Sequence, residues 1–275
     1  MGGVIYERLV RSPGLVLLTV FALAPPAMAA PRGKALPPGA LDKLRADLRG
    51  DSDDAAAAAA KQLGESGALA ALESLTALLA AGTTPARAQA ALNALGPWGT
   101  PKSLDVLLLY AGNRNNELRA RAVKALGAFG DRRATAALLE RLGDPTVTVR
   151  AAAAEALAAR KEKQAVPRLL LLLKRNDAGA AGPLGVLAPH DLIPKIAELQ
   201  GAIDDSVLAT ALGEYIKRED VADKMRVDVV RAIGGLQGAS ATTALVEYIA
   251  VVPPKDDRPS RREAQKLLDE RGAPR

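Results

Sequence analysis

The chain of 275 residues contains no cysteine, a single histidine, a single tryptophan and only 3% aromatic residues. Without cysteine it forms no disulfide and no thiolate-ligated metal centre. One histidine, His190, cannot build a multi-histidine metal site. A catalytic triad needs a nucleophile, a base and an orienting group within hydrogen-bond reach. His190 sits between Pro189 and Asp191 in a turn, no serine is marked as its partner, and no nucleophile-elbow motif occurs. The phosphate-cradling Gly-x-x-x-x-Gly-Lys-Ser/Thr loop is also missing. No segment reads as a convincing strand, so a Rossmann fingerprint has nothing to follow. These absences leave no expected catalytic residue, metal or cofactor.

What is present is alanine and period. Hydrophobic residues make up 49% of the chain, and alanine supplies much of that share. Small side chains let helices approach closely, which suits stacked helices better than a pocket enzyme. Leu63-Gly64, Leu95-Gly96, Leu126-Gly127 and Leu157-Ala158 recur every 31 or 32 residues. Each closes an amphipathic helix, such as Asn116–Leu126, and a second helix follows, such as Asp131–Leu142. Ala134, Leu138 and Leu142 recur at Ala165, Leu169 and Leu173 as a helical stripe. A helix pair of this length cannot bury its apolar stripe alone, so it stacks on its neighbours as a solenoid. The glycine after Leu63, Leu95 and Leu126 is expected to cap the helix with positive φ.

A polar set runs in the same register. Arg119, Arg150 and Arg226 lie seven residues before the Leu/Ile anchor. Asn113, Asp144 and Asp220 lie thirteen before it. The acid or amide suits a helix N-cap, and the arginine suits a ladder of Asp–Arg pairs between copies.

These residues resemble HEAT repeats of the PBS-lyase HEAT-like type. The resemblance rests on Asp144-Pro145, Val149-Arg150, Ala152-Ala153, Ala156-Leu157, and on Leu126-Gly127 followed by Asp131 and Ala134. It extends over Ser52–Lys174 and is weaker over Asp220–Ala250. It implies an all-α fold, a right-handed α-α superhelix whose second helices line the concave face. It also implies a binding scaffold more often than an enzyme. The di-iron hydroxylases of this repeat class need several histidines, which this chain lacks. The lyase branch, which handles a small molecule, predicts a deep pocket near Asp177–Asp191.

The N-terminus bears on location. Arg8 and Arg11 precede an apolar run, Gly14–Ala24, ended by Pro25-Pro26, and Ala27-Met28-Ala29 offers a small-residue cleavage site. Residues 1–29 read as a secretory signal peptide, because eleven apolar residues fall short of the ~20 that span a bilayer. The expected location is periplasmic or secreted, with no lipid anchor on a cysteine. Cleavage removes two arginines and one glutamate from a chain of net charge +6 and leaves +5. Residues 30–40 read as a Pro-rich linker, and 41–272 as the solenoid.

Along that solenoid, Leu41–Leu48 suits a capping half-repeat. Asp51, Ser52, Asp53 and Asp54 start a helix; they lack the glycine and glutamate of a calcium loop. Trp98, in the turn Gly96–Pro101, is expected to fold back onto neighbouring repeats. Gly179, Gly182 and Pro183 predict a broken or short helix over Asp177–Ala188. Leu212 and Ile233 are only 21 residues apart, which leaves the helix pairing there ambiguous. Pro259 ends a loop, and Ser260–Arg271 suits a polar terminal cap.

On the second helices Lys102, Arg133, Arg168 and Lys195 form an expected basic column, with Tyr110 nearby. The favoured partner is an acidic protein on the concave face. An anionic envelope surface or membrane is the electrostatic alternative, sensitive to salt. Nucleic acid is not expected, since aromatics are sparse and an exported protein rarely meets it.

Overall fold

The computed structural model describes residues 33–98, 100–252 and 256–272. The expected signal peptide, 1–29, lies outside the described residues, as does the start of the expected linker. Among the described residues fifteen α-helices follow one another in chain order. They are α1 (Ala40–Arg49), α2 (Asp53–Ser66), α3 (Leu69–Ala81), α4 (Pro85–Leu95), α5 (Pro101–Ala111), α6 (Asn116–Leu126), α7 (Arg132–Arg141) and α8 (Val147–Ala159). The rest are α9 (Val166–Lys174), α10 (Ala178–Leu187), α11 (Ile193–Ala197), α12 (Asp205–Ile216), α13 (Asp223–Gly235), α14 (Ala239–Val251) and α15 (Pro259–Glu270). Among the described residues the β-structure is one isolated bridge between Gln200 and Ile203. None of these helices is long and apolar enough to cross a membrane.

Local chemistry explains where the helices start. Ser52 accepts a hydrogen bond from the Ala55 amide at 3.2 Å. Asn115, Asp131 and Asp177 cap α6, α7 and α10 in the same way. These side chains satisfy amide donors that the first turn leaves free. Proline opens α4, α5 and α15 and sits in the first turn of α9 and α11. Its missing N–H costs nothing there.

The helices form two layers. α2, α4, α6, α8, α10, α12 and α14 pack successively in the first. α3, α5 and α7 pack successively in the second, as do α13 and α15. The core lies between the layers. Leu63, Leu95, Leu126, Leu157, Leu184 and Leu212 are all fully buried there. Ala134, Leu138, Leu142, Ala165, Leu169 and Leu173 fill it from the second layer. Each leucine contributes about 1.5–3 kcal/mol by leaving water. The molecule is the α-solenoid that the 31-residue period predicts.

Three details differ from expectation. The repeating glycines are not left-handed caps. Gly64 lies inside α2, and Gly96 and Gly127 have right-handed φ of −49° and −58°. Their reason is proximity. A Cβ on Gly64 would stand 2.7 Å from the Ala94 Cβ, and one on Gly127 would stand 3.0 Å from the Ala156 Cβ. The glycine lets consecutive first-layer helices touch. The left-handed cap of α2 is instead Gly67, at φ 59°.

The second concerns the helix expected to be broken or short: α10 is short, as one alternative has it, and runs unbroken through Pro183. Packing against α8, α9 and α12 outweighs the intrinsic cost of proline and glycine here. The lost turn falls mainly on the second helix of this copy, since α11 has only five residues.

The third concerns pairing near the C-terminus. α12 stacks between α10 and α14, so it is a first-layer helix. α13 therefore belongs to the second layer, and Ile233 is not the next anchor of the series. Arg226 stands in the arginine register by sequence alone.

Candidate functional site

The repeats generate two polar surfaces, one inward-facing at the turns and one on the outside of the second layer. At the turns leading into the first-layer helices, Arg119 reaches forward to the next copy. Its Nε donates to Asp144 Oδ2 at 2.7 Å and its Nη2 to Asp144 Oδ1 at 2.9 Å. The same guanidinium donates to the Asn113 carbonyl at 2.7 Å. Asp144 also accepts from the Thr146 amide at 2.9 Å. One repeat on, Arg150 donates to Asp177 at 2.6 Å and to the Asp144 carbonyl at 2.9 Å. Arg87 pairs with Asp53 at 2.5 Å. The Arg119 and Arg150 pairs are the Asp–Arg ladder the register predicts, while Arg87, outside that register, reaches back to the preceding copy.

On the second layer, three of the four predicted cations reach back to the preceding second-layer helix. Lys102 on α5 pairs with Glu73 on α3 at 2.5 Å. Arg133 on α7 pairs with Asp105 on α5 at 2.8 Å, and that bond raises its pKa above the ordinary arginine value. Arg168 on α9 donates to the Leu139 carbonyl of α7. Lys195 is exposed on α11. The structure therefore places all four on second-layer helices, with two already matched by a carboxylate. Tyr110 stands apart from them. It is buried, and its hydroxyl donates to the Leu79 carbonyl at 3.2 Å. Burial raises its pKa, and its ring is not a surface contact.

The Lys102–Glu73 and Arg133–Asp105 pairs are solvent-exposed, so they hold little energy. Replacing both cations by alanine is expected to leave the unfolding midpoint unchanged in a thermal melt followed by circular dichroism.

Charge is uneven along this layer. Residues 160–175 carry Arg160, Lys161, Lys163, Arg168, Lys174 and Arg175 against Glu162 alone. Arg160 is occupied by Glu162 at 2.9 Å. In the middle of α9, Leu171 is exposed at 58%, and Leu109 on α5 at 67%. The 31-residue register puts Leu109, Glu140 and Leu171 in one row. Sequence reasoning picked out the cations but missed both leucines. Their signal was present, because they fall out of phase with the buried stripe of Leu107 on α5 and Leu169 and Leu173 on α9.

His190 opens the turn before α11. Its Nδ1 lies 2.7 Å from the Tyr215 hydroxyl and its Nε2 lies 3.7 Å from Asp220. Arg218 bonds Asp220 at 2.9 and 2.6 Å and stacks over the Tyr215 ring at 5.1 Å. Hydrogen bonding to Arg218 lowers the Asp220 pKa. No serine joins this group, and its members hold each other across the first and second layers.

Among the described residues no three acidic or histidine side chains cluster as metal ligands. A groove of about 690 Å³ runs between α2 and α4, lined by Ala57, Lys61, Gly64, Ala90, Ala94 and Trp98. It lies far along the chain from Asp177–Asp191, where a lyase-like pocket was expected. Trp98 folds back as predicted: a Cβ on Gly67 would meet its ring at 1.9 Å.

Residues 104–181 match the HEAT-repeat family. No curated protein sequence matches the chain. Among solved structures, the chain is similar to one from the complex of CpcE and CpcF of phycocyanin lyase from Nostoc sp. PCC7120. The identity is 21% over 88% of this chain and 97% of that one, with a TM-score of 0.48. It is also similar to two engineered proteins. One shows 20% identity over 85% of this chain and 98% of that one, at a TM-score of 0.37. The other shows 20% identity over 83% and 97%, at a TM-score of 0.36.

Proposed function

We propose that this chain, whose residues 104–181 are HEAT repeats, is an exported, non-catalytic scaffold for an acidic protein partner. The contact surface is the outer face of the second layer, centred on α9 and α11. This is the face that the resemblance to HEAT repeats assigns to the concave side. The reading is carried by one observation: an exposed apolar side chain, Leu171, stands on α9 among the exposed cations Arg168, Lys174 and Arg175, with Lys195 exposed on the next second-layer helix. A soluble polyanion rewards charge alone. A protein with an apolar anchor and an acidic rim rewards both, which is the usual anatomy of an interface centre and its edge. Export is supported by the N-terminal run of Arg8, Arg11, Gly14–Ala24 and Ala27-Met28-Ala29.

The test uses the chain from Ala30 as bait against envelope extract, at low and at high salt, with mass-spectrometric readout. One partner retained at high salt is expected, and it is expected to be lost in an Arg168→Glu/Lys195→Glu variant. Unchanged capture by that variant sinks the surface assignment. Recovery of only polymer or lipid, released at high salt, favours the electrostatic alternative. A co-purifying small molecule reopens the lyase-like one. Export is tested separately, by finding whether the cellular protein begins at Ala30 or at Met1.

A further inference from the structure

Arg226 is a buried cation without an acid. It is only 8% exposed. Its Nε donates to the Ile216 carbonyl at 3.1 Å and its Nη2 to the Arg218 carbonyl at 2.6 Å. Arg119 and Arg150, which share its register by sequence alone, each hold an aspartate of the next copy. The aspartate six residues before Arg226, Asp220, is taken by Arg218. Among the described residues no carboxylate oxygen lies within 4.0 Å of its guanidinium. Carbonyls take its Nε–H and one Nη2–H but do not neutralise its charge, and a buried charge needs a counter-charge.

Arg226 lines a cavity of about 560 Å³ at the turn side of α12–α15. Lys217, Glu219, Tyr248 and Arg258 line it with Arg226, together with Ile216, Val251 and Val252. Lys217 is already matched by Glu214 and Glu247 at 2.6 and 2.9 Å, and Arg258 by Asp256. The lining still counts three cations to one carboxylate, with apolar side chains beside them.

We propose that this cavity binds the oxyanion of a small organic acid, a carboxylate or a phosphate, with Arg226 as the principal cation. The planar guanidinium fork matches either oxyanion in a two-point contact. Arg258 and Lys217 add field at the rim, and the apolar lining takes the body of the ligand. Glu219 on the same wall disfavours ligands with more than one or two negative charges. The site is independent of the scaffold reading and uses none of its residues.

The test follows the thermal midpoint of the whole chain against inorganic phosphate and, separately, butyrate, with chloride at matched ionic strength as control. A saturable rise with phosphate or with butyrate, absent in chloride, is expected. The anion that responds identifies the source as a phosphate or a carboxylate. The rise is expected to vanish in Arg226→Met and to need at least tenfold more ligand in Arg258→Gln. Arg258 is partly exposed, so its variant carries the test if Arg226→Met does not fold. No saturable response to either anion overturns the site, as does a response that both foldable variants keep in full.

Discussion

Asp144→Ala is expected to lower the unfolding free energy by about 3 kcal/mol, the lower end of the cost of orphaning a buried ion-pair partner. The Asp144 side chain is 2% exposed and that of Arg119 is 10% exposed. Removing the carboxylate strips Arg119 of two charge-assisted bonds and the Thr146 amide of its acceptor. The loss stays at the lower end because Arg119 keeps the Asn113 carbonyl and the Thr146 hydroxyl, at 2.7 and 3.1 Å. The measurement is a urea titration followed by circular dichroism. A change below ~1 kcal/mol would show that the ladder is ornamental to stability.

The same pair sets a pH dependence. Burial alone raises the Asp144 carboxyl pKa, but hydrogen bonds from Arg119 and Thr146 and the charges of Arg119 and Arg141 outweigh it. The net effect lowers the pKa below its ordinary 3.8. A lowered carboxylate pKa stabilises the fold above the unfolded value, and that contribution fades as pH falls through the folded one. The gap between wild type and Asp144→Ala is therefore expected to narrow below about pH 3.8.

Gly185→Ala is expected to destabilise by about 3 kcal/mol, as overpacking against an unyielding neighbour does. Helix propensity alone predicts the opposite sign, a gain of roughly 1 kcal/mol for alanine over glycine inside a helix. The deciding fact is contact. A Cβ on Gly185 would stand 2.2 Å from the Ala211 carbonyl oxygen and 2.9 Å from the Glu214 Cβ. The carbonyl belongs to α12 and cannot rotate away, so the two helices must separate. Gly182 in the same helix meets nothing closer than the Glu214 Cγ at 3.7 Å, so Gly182→Ala serves as the control. Equal melting midpoints for the two variants would remove the contact argument.

The fold was legible because its signals are periodic. Leucine at every 31st or 32nd residue places four buried anchors, Leu63, Leu95, Leu126 and Leu157, and the Arg/Asp offsets predict the pairs that Arg119 and Arg150 make. Reading failed where two causes give one residue type. Glycine after leucine serves a left-handed cap or a close approach, and sequence does not separate them; Gly64 and Gly127 are the second kind. Arg226 shows the converse, since a matching offset cannot report that α13 has changed layer. At the candidate surface, charge and spacing singled out Lys102, Arg133, Arg168 and Lys195. Which of them already spends its charge on Glu73 or Asp105 depends on neighbours 28 or 29 residues away.

The two layers differ in how they would answer a bending force. Gly64 on Ala94, Gly127 on Ala156, Gly179 on Ala151, Gly185 on Ala211 and Gly213 on Ala244 put first-layer helices almost backbone to backbone. Contacts that close leave no room for closer approach, so this layer behaves as the incompressible spine of a book. The second layer, from α3 to α9, is linked across its outer face by long side chains such as Lys102 to Glu73 and Arg133 to Asp105, which swing without breaking the core. Strain imposed on the ends would therefore be taken up by fanning the second layer open, and most easily beside the five-residue α11. The spacing between neighbouring second-layer helices is the adjustable dimension of this molecule, while its spine cannot shorten.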